Sequence, residues 1–226
     1  MPAISIAVVV PTLNEEENLR RYLPDVIRQA DEIVIADGGS NDATTAVAKQ
    51  LGAQVITGAR GRGSQMNSGA AAARSSVLLF LHADTRLPEG GLEMVKREVQ
   101  SGRIGGGFLA DFDSQRPLMR LGSRLVNLRT RCSRLPLGDQ AQFVTRQAFE
   151  ELGGFRDWPI LEDLDFMRRL KRRGPTAVIR RPVITSARRY VQDGVFKTIA
   201  NNWRIWFLYL LGVAPERLGH RYRNVR

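Results

Sequence analysis

Short β-branched runs that stop abruptly at polar residues recur through the first half of this 226-residue chain, and they limit what it can fold into. Ile4 to Val10 stops at Pro11, Glu32 to Ala36 runs into Asp37-Gly38-Gly39, Ala53 to Thr57 into Gly58, and Val77 to Leu81 into His82-Ala83-Asp84. Between them lie segments with helical character, Glu15 to Ala30, Ser40 to Leu51 and Ser64 to Arg74. Apolar runs of four to eight residues alternating with helices imply buried strands in a mainly parallel sheet, an α/β architecture of Rossmann-like type.

In open parallel sheets, ligands bind beyond the carboxyl ends of the strands. Three ends here are polar: Pro11-Thr-Leu-Asn-Glu15, Asp37-Gly-Gly-Ser40 and His82-Ala-Asp84. Taken singly, Asn14, Ser40 and Asp42 read as helix caps and Asp37-Gly38 as a turn. Three such rims on strands of one sheet are harder to explain as capping and point to a shared site.

The loop Gly58-Ala-Arg-Gly-Arg-Gly63 places Arg60 and Arg62 before an expected helix start, a combination that suits a diphosphate. A carboxylate at the fourth strand end, Asp84, suits Mg²⁺ or Mn²⁺ beside such a group. In Leu161-Glu-Asp-Leu-Asp-Phe-Met-Arg-Arg-Leu170, helical spacing puts Asp163 on the face of Phe166, Met167 and Leu170 and puts Glu162, Asp165 and Arg169 on the opposite face. An inward carboxylate must be paired, capping or working. Asp163 is therefore the candidate general base, with an inward helix cap as the plainer alternative.

The net charge of +11 is concentrated: Arg116 to Arg134 holds six arginines and no acid, and Arg168 to Arg189 holds nine basic residues and no acid. Such a field attracts nucleic acid, an anionic membrane or a phosphorylated substrate, or it is a solvated surface. Without a nucleic-acid motif or interleaved aromatics, a nucleic-acid-binding module is disfavoured. One cysteine, Cys132, and a start without signal-peptide character imply a cytoplasmic protein. No apolar run approaches the roughly 20 residues of a membrane span. Val195 to Leu211, rich in Trp, Phe and Leu, reads as a core or homodimer helix, or as a peripheral contact with the inner membrane face.

Val10-Pro-Thr-Leu-Asn-Glu-Glu16, Asp37-Gly-Gly-Ser-Asn-Asp-Ala-Thr44, Leu81-His-Ala-Asp-Thr85, Gly153-Gly-Phe155 and Glu162-Asp163 with Arg169-Leu170 stand in the order found in family 2 glycosyltransferases of the GT-A fold, which the chain resembles over nearly its whole length. The resemblance implies a single domain, with a nucleotide-binding half at 1–101 and an acceptor-side half at 102–226 that carries the base and a C-terminal helix. It further implies that Pro11, Thr12, Leu13, Glu15, Asp37, Gly38, Arg60, Arg62, Gln65 and Asn67 bind the nucleotide of a UDP- or GDP-linked sugar.

By the same resemblance, Asp84 binds Mn²⁺ or Mg²⁺ and Asp163 is the base of an inverting transfer to an acceptor hydroxyl. The usual Asp-X-Asp is His82-Ala-Asp84 here, so His82 is the second candidate ligand. Asp139, Gln140 and Glu162 are expected on the side of a small-molecule or lipid-linked acceptor. Arg62 to Gly69, Phe80 to Asp84 and Gly138-Asp-Gln140 are similar to a smaller subgroup, some of whose members are labelled arsenosugar-biosynthesis glycosyltransferases. The Gln-X-X-Arg-Trp motif of processive synthases is absent, which implies one sugar per encounter. A fold of this kind that only binds the nucleotide-sugar is the alternative.

Overall fold

The computed structural model describes residues 3–188 and 194–219; Met1 and Pro2 of the chain start, and Arg189 at the end of the second basic run, lie outside them. The first half builds β1 (Ile6–Thr12), α1 (Glu16–Ile27), β2 (Glu32–Asp37), α2 (Thr44–Gln50), β3 (Gln54–Thr57), α3 (Arg62–Ala72), β4 (Val77–Phe80), the short β5 (Thr85–Arg86) and α4 (Gly91–Gln100). The second builds β6 (Gly105–Phe112), α5 (Pro117–Ser133), a 3-10 turn (Gly138–Gln140), β7 (Gln142–Thr145), α6 (Arg146–Glu151), α7 (Glu162–Arg173), β8 (Thr176–Thr185), α8 (Val195–Leu210) and α9 (Pro215–Gly219).

Eight strands form one sheet in the order β3-β2-β1-β4-β7-β6-β8-β5. β1 pairs parallel with β2 and with β4, β2 with β3, and β6 with β8; β7 runs antiparallel between β4 and β6, and β5 antiparallel to β8. The mainly parallel sheet is thus observed, with β7 as the reversal that joins the two parallel sets. Ile6, Ala7, Val8 and Val9 are fully buried because both faces of β1 are covered. Odd and even positions enter two apolar clusters, one around Leu19, Leu23 and Val26 of α1, the other around Met66 and Ala70 of α3 and Phe166 and Leu170 of α7.

Because β1, β2 and β4 are parallel, their carboxyl ends emerge at one rim. The loops there are tied across to one another. Asn14, in left-handed conformation with φ 54°, accepts the Asn41 amide on Oδ1 at 2.9 Å, and its own amide donates to Ser40 Oγ at 2.8 Å. Neither residue caps a helix as the sequence alone suggests. α2 begins instead at Thr44, whose amide donates to Asp42 Oδ1 at 2.9 Å.

α3 lies close against β1 at Gly69, where an added Cβ would overlap Val9 Cγ1. Gly69→Ala should therefore destabilise the protein by about 1–3 kcal/mol, read as a lowered midpoint in thermal unfolding. An unchanged midpoint would mean that α3 can withdraw from the sheet.

Candidate active site

Acidic and basic side chains from both halves meet in a cavity of about 310 Å³ at this rim. Pro11 and Glu15 reach it from the loop after β1, His82 and Asp84 from the loop after β4, and Arg62 from the start of α3. Asp139 comes from the 3-10 turn and Asp163 from the first turn of α7. Seven of the residues marked in the sequence are thus brought together.

Asp163 is 9% exposed and held by two backbone amides, Gly138 donating to Oδ2 at 2.6 Å and Leu164 to Oδ1 at 2.7 Å. The first of these depends on Gly138. A Cβ there would stand 3.0 Å from Asp163 Oδ2 and 3.1 Å from His82 Nε2, so the bare backbone lets the turn approach both side chains.

Burial pushes the Asp84 carboxyl up to about 6; the charges of Glu15 and Asp139 add to the rise, and Arg188 opposes it. Burial also raises Asp139, against the pull of Arg129, and the Asp163 charge raises it further. Like charges held together in a low-dielectric cleft repel one another, so the site favours a cation. Among the described residues, no three His, Cys, Asp or Glu side chains stand close enough together to hold a metal by themselves. A single carboxylate such as Asp84 can bind Mg²⁺ or Mn²⁺ where phosphate oxygens and water complete the shell.

Glu162 departs from expectation. Helical spacing placed it with Asp165 on a face opposite Asp163, yet all residues from Glu162 to Met167 are buried. The start of α7 is packed on all sides except where Asp163 lines the cavity, so the first turn has no outward polar face. Glu162 Oε1 accepts Arg62 Nε at 2.6 Å, while Asp165 accepts Arg169 Nε at 2.7 Å and the Tyr209 hydroxyl at 3.3 Å. Burial raises the Glu162 carboxyl, the Asp163 charge adds to the rise, and the Arg62 guanidinium holds it down. Glu162 thus anchors Arg62 from behind.

Other marked residues build the walls without lining the cavity. Asp37, 1% exposed, accepts Thr12 Oγ1 at 3.1 Å and the amides of Gly39 and Ser40 at 2.9 and 2.8 Å, fixing the loop after β2. Gln65 donates to the carbonyls of Thr12 and Ala36, both at 2.8 Å, clamping α3 across the ends of β1 and β2; its buried Oε1 has no hydrogen-bond partner. It lies 3.1 Å from where a Gly38 Cβ would stand. Leu13 is core.

Asn67 binds both the amide and the carbonyl of Phe155 at 2.8 Å. Gly153 and Gly154 supply φ near +70° for that turn, and Arg169 donates to the carbonyls of Leu152 and Gly154. Gln140 is fully buried; it donates to the Phe108 carbonyl at 3.0 Å and accepts the Leu137 amide at 2.9 Å, holding the turn that presents Asp139. Arg60 is exposed and away from the cavity.

Two arginines of the cavity, Arg129 and Arg188, and two tryptophans, Trp203 and Trp206, were not singled out in the sequence. The arginines were visible only as members of basic runs. Since α5 leaves Arg120, Arg124 and Arg131 in solvent, only the rotation of the helix decides that Arg129 turns inward.

The sequence pattern of the family described as Glycosyl transferase family 2 matches residues 7–153, which span β1 to the turn after α6. The chain belongs to this family. It is an enzyme of the sugar-transferring class. An uncharacterized glycosyltransferase of Mycobacterium tuberculosis is 31% identical over 167 residues, covering 68% of this chain and 73% of the relative.

Staphylococcus aureus TarS 1-349 in complex with UDP-GlcNAc superposes with a TM-score of 0.64 at 16% identity, covering 81% of this chain and 58% of that one. The mannosyltransferase PcManGT of Pyrobaculum calidifontis, in complex with GDP-Man and Mn²⁺, gives 0.59 at 19% identity, covering 88% and 59%. These two likenesses show the GT-A fold, and the chain spans less than two thirds of either structure.

Free of any ligand, the raised Asp84 carboxyl works against folding. That cost is absent below pH 3.8, sets in as pH rises through about 6 and is present in full at pH 8. Asp84→Asn should therefore stabilise the ligand-free protein at pH 8 by about 2–3 kcal/mol and hardly at pH 4, measured by urea unfolding at both values. Equal effects at the two would remove the charge as the cause.

Proposed function

We infer that this enzyme transfers a sugar from a nucleoside diphosphate donor to an acceptor hydroxyl with inversion at the anomeric carbon, Asp163 serving as the general base. The observation that carries the reading is that Asp163, Asp84 and Arg62 line one cavity, with Asp163 held by the 3-10 turn and Arg62 by Glu162 of α7. The bound UDP-GlcNAc of TarS and the GDP-Man and Mn²⁺ of the Pyrobaculum mannosyltransferase support a nucleotide-sugar as donor and a divalent ion as its companion.

On this reading the nucleoside lies along the rim made by Pro11, Thr12 and the loop fixed by Asp37. Asp84, with His82 beside it, would hold a divalent ion, which when bound would supply positive charge opposite the diphosphate. Arg62, backed by Glu162, adds a fixed positive charge near the same phosphates without needing to reorganise. The amides of Gly138 and Leu164 orient the Asp163 carboxylate and leave it a lone pair toward the cavity.

The acceptor hydroxyl gives its proton to that carboxylate as its oxygen forms the new bond to the anomeric carbon. The bond from that carbon to the diphosphate oxygen breaks on the opposite face, its electron pair leaving with the nucleotide. Asp139, between Asp163 and Arg129, lies on the acceptor side.

Among the described residues, three of the four non-glycine residues with left-handed backbone adjoin this machinery: Asn14 beside Glu15, Ala141 after the 3-10 turn, and Leu161 before Glu162. Strain of about 1–3 kcal/mol at such positions persists where the surroundings dictate the conformation, and it clusters at active sites. That distribution favours a working site over a vestigial one.

Turnover tests this reading. Asp163→Asn should lower the release of nucleoside diphosphate from UDP- or GDP-sugars by about 10²–10⁴-fold while nucleotide affinity changes little. Undiminished turnover in the variant would take the base role from Asp163.

A further inference from the structure

The exposed large apolar side chains among the described residues are confined to one part of the surface. Leu118, Leu121 and Leu128 stand on α5, and Trp203, Phe207, Leu210 and Leu211 on α8 and its C-cap, all between 37% and 68% exposed. The two helices pack against each other. Scattered exposed leucines need no explanation, but a set this large on two adjacent helices marks a surface made to be covered.

The charges around it say what covers it. Arg120, Arg124 and Arg131 on α5, with Lys197 and Arg204 on α8, are exposed, and neither helix contains a carboxylate. Along α5, Leu121, Arg124, Leu128 and Arg131 follow at spacings of three and four, so apolar and cationic groups share a single solvent stripe. A second copy of the chain would bring the same arginines against them. A bilayer with anionic headgroups offers both an apolar interior and the opposite charge.

The surface continues into the cavity. Trp203 is 44% exposed and also lines the cavity, where Val126 of α5 and Ile199, Ile205 and Trp206 of α8 make the wall facing the carboxylates. None of the described helices is long and apolar enough to cross a membrane.

We propose that α5 and α8 together form a surface that lies on an anionic bilayer, with the apolar side of the cavity opening at headgroup level. The docking itself does not depend on the transfer reading. The consequence that the acceptor hydroxyl is carried by an amphiphile resting in that bilayer does depend on it.

Co-sedimentation with vesicles tests the docking. The full-length protein should sediment with vesicles of phosphatidylglycerol and phosphatidylcholine and remain in solution with phosphatidylcholine alone. A variant carrying Leu121→Glu, Leu128→Glu, Phe207→Glu and Leu211→Glu should lose about a hundredfold in partitioning, with circular dichroism and UDP and GDP affinity unchanged. Retained partitioning in the folded variant, or equal binding to neutral vesicles, would overturn the proposal. So would a dimer in sedimentation velocity that the same substitutions dissociate, because the covering partner would then be a second copy. Loss of nucleotide binding by the wild-type protein with vesicle binding intact would instead count against the transfer reading alone.

Discussion

Like charges held close together in one partly buried cleft set the demands on the rest of this molecule. Glu15, Asp84, Asp139 and Asp163 come from four different segments, and burial together with mutual repulsion lifts the carboxyl of Asp84 to about 6. A free chain would let these groups drift apart. The fold prevents this by fixing each backbone segment independently of the charges it carries, so that a cationic ligand finds its partners already in place. The ionised Asp84 carboxylate opposes folding, which fits the general trade between stability and preorganised function.

The fixing is done mostly by side chains bonded to backbone. Gln65 spans the ends of β1 and β2, Asn67 and Arg169 hold the turn at Gly153-Gly154, and Gln140 holds the turn of Asp139. Each such bond contributes only about 0.5–1.5 kcal/mol net. Their larger effect is that breaking one strands a buried polar group, so each loop has a single well-defined position. Arg62 shows how far this reaches: its guanidinium is held at the cavity wall because Glu162, 1% exposed, is paired with it.

The strands and the shared rim were legible because the sequence signals are local: β-branched runs of definite length, each ending at a polar residue. Asp84 and Asp163 were legible for the same reason, one at a strand end and the other at helical spacing from Phe166, Met167 and Leu170. Glu162 was not. Periodicity assigns faces relative to a single helix, whereas α7 starts packed on all sides except toward the cavity, and that packing comes from segments distant in sequence. Asp37, Gln65, Asn67 and Gln140 stood out by motif, but polar residues that grip a ligand and polar residues that grip the backbone look alike in one dimension. Arg129 and Arg188 were hidden in runs of arginine whose members differ only by helix rotation and strand end.

Calorimetric titration of UDP and GDP into the wild-type protein, with Mn²⁺ and then with a chelator, tests most directly whether these converging acids and arginines serve one ligand. One of the two nucleotides should bind, and markedly more tightly with the ion than without it. Equal affinity under both conditions, or no heat from either nucleotide with Mn²⁺ present, would contradict this.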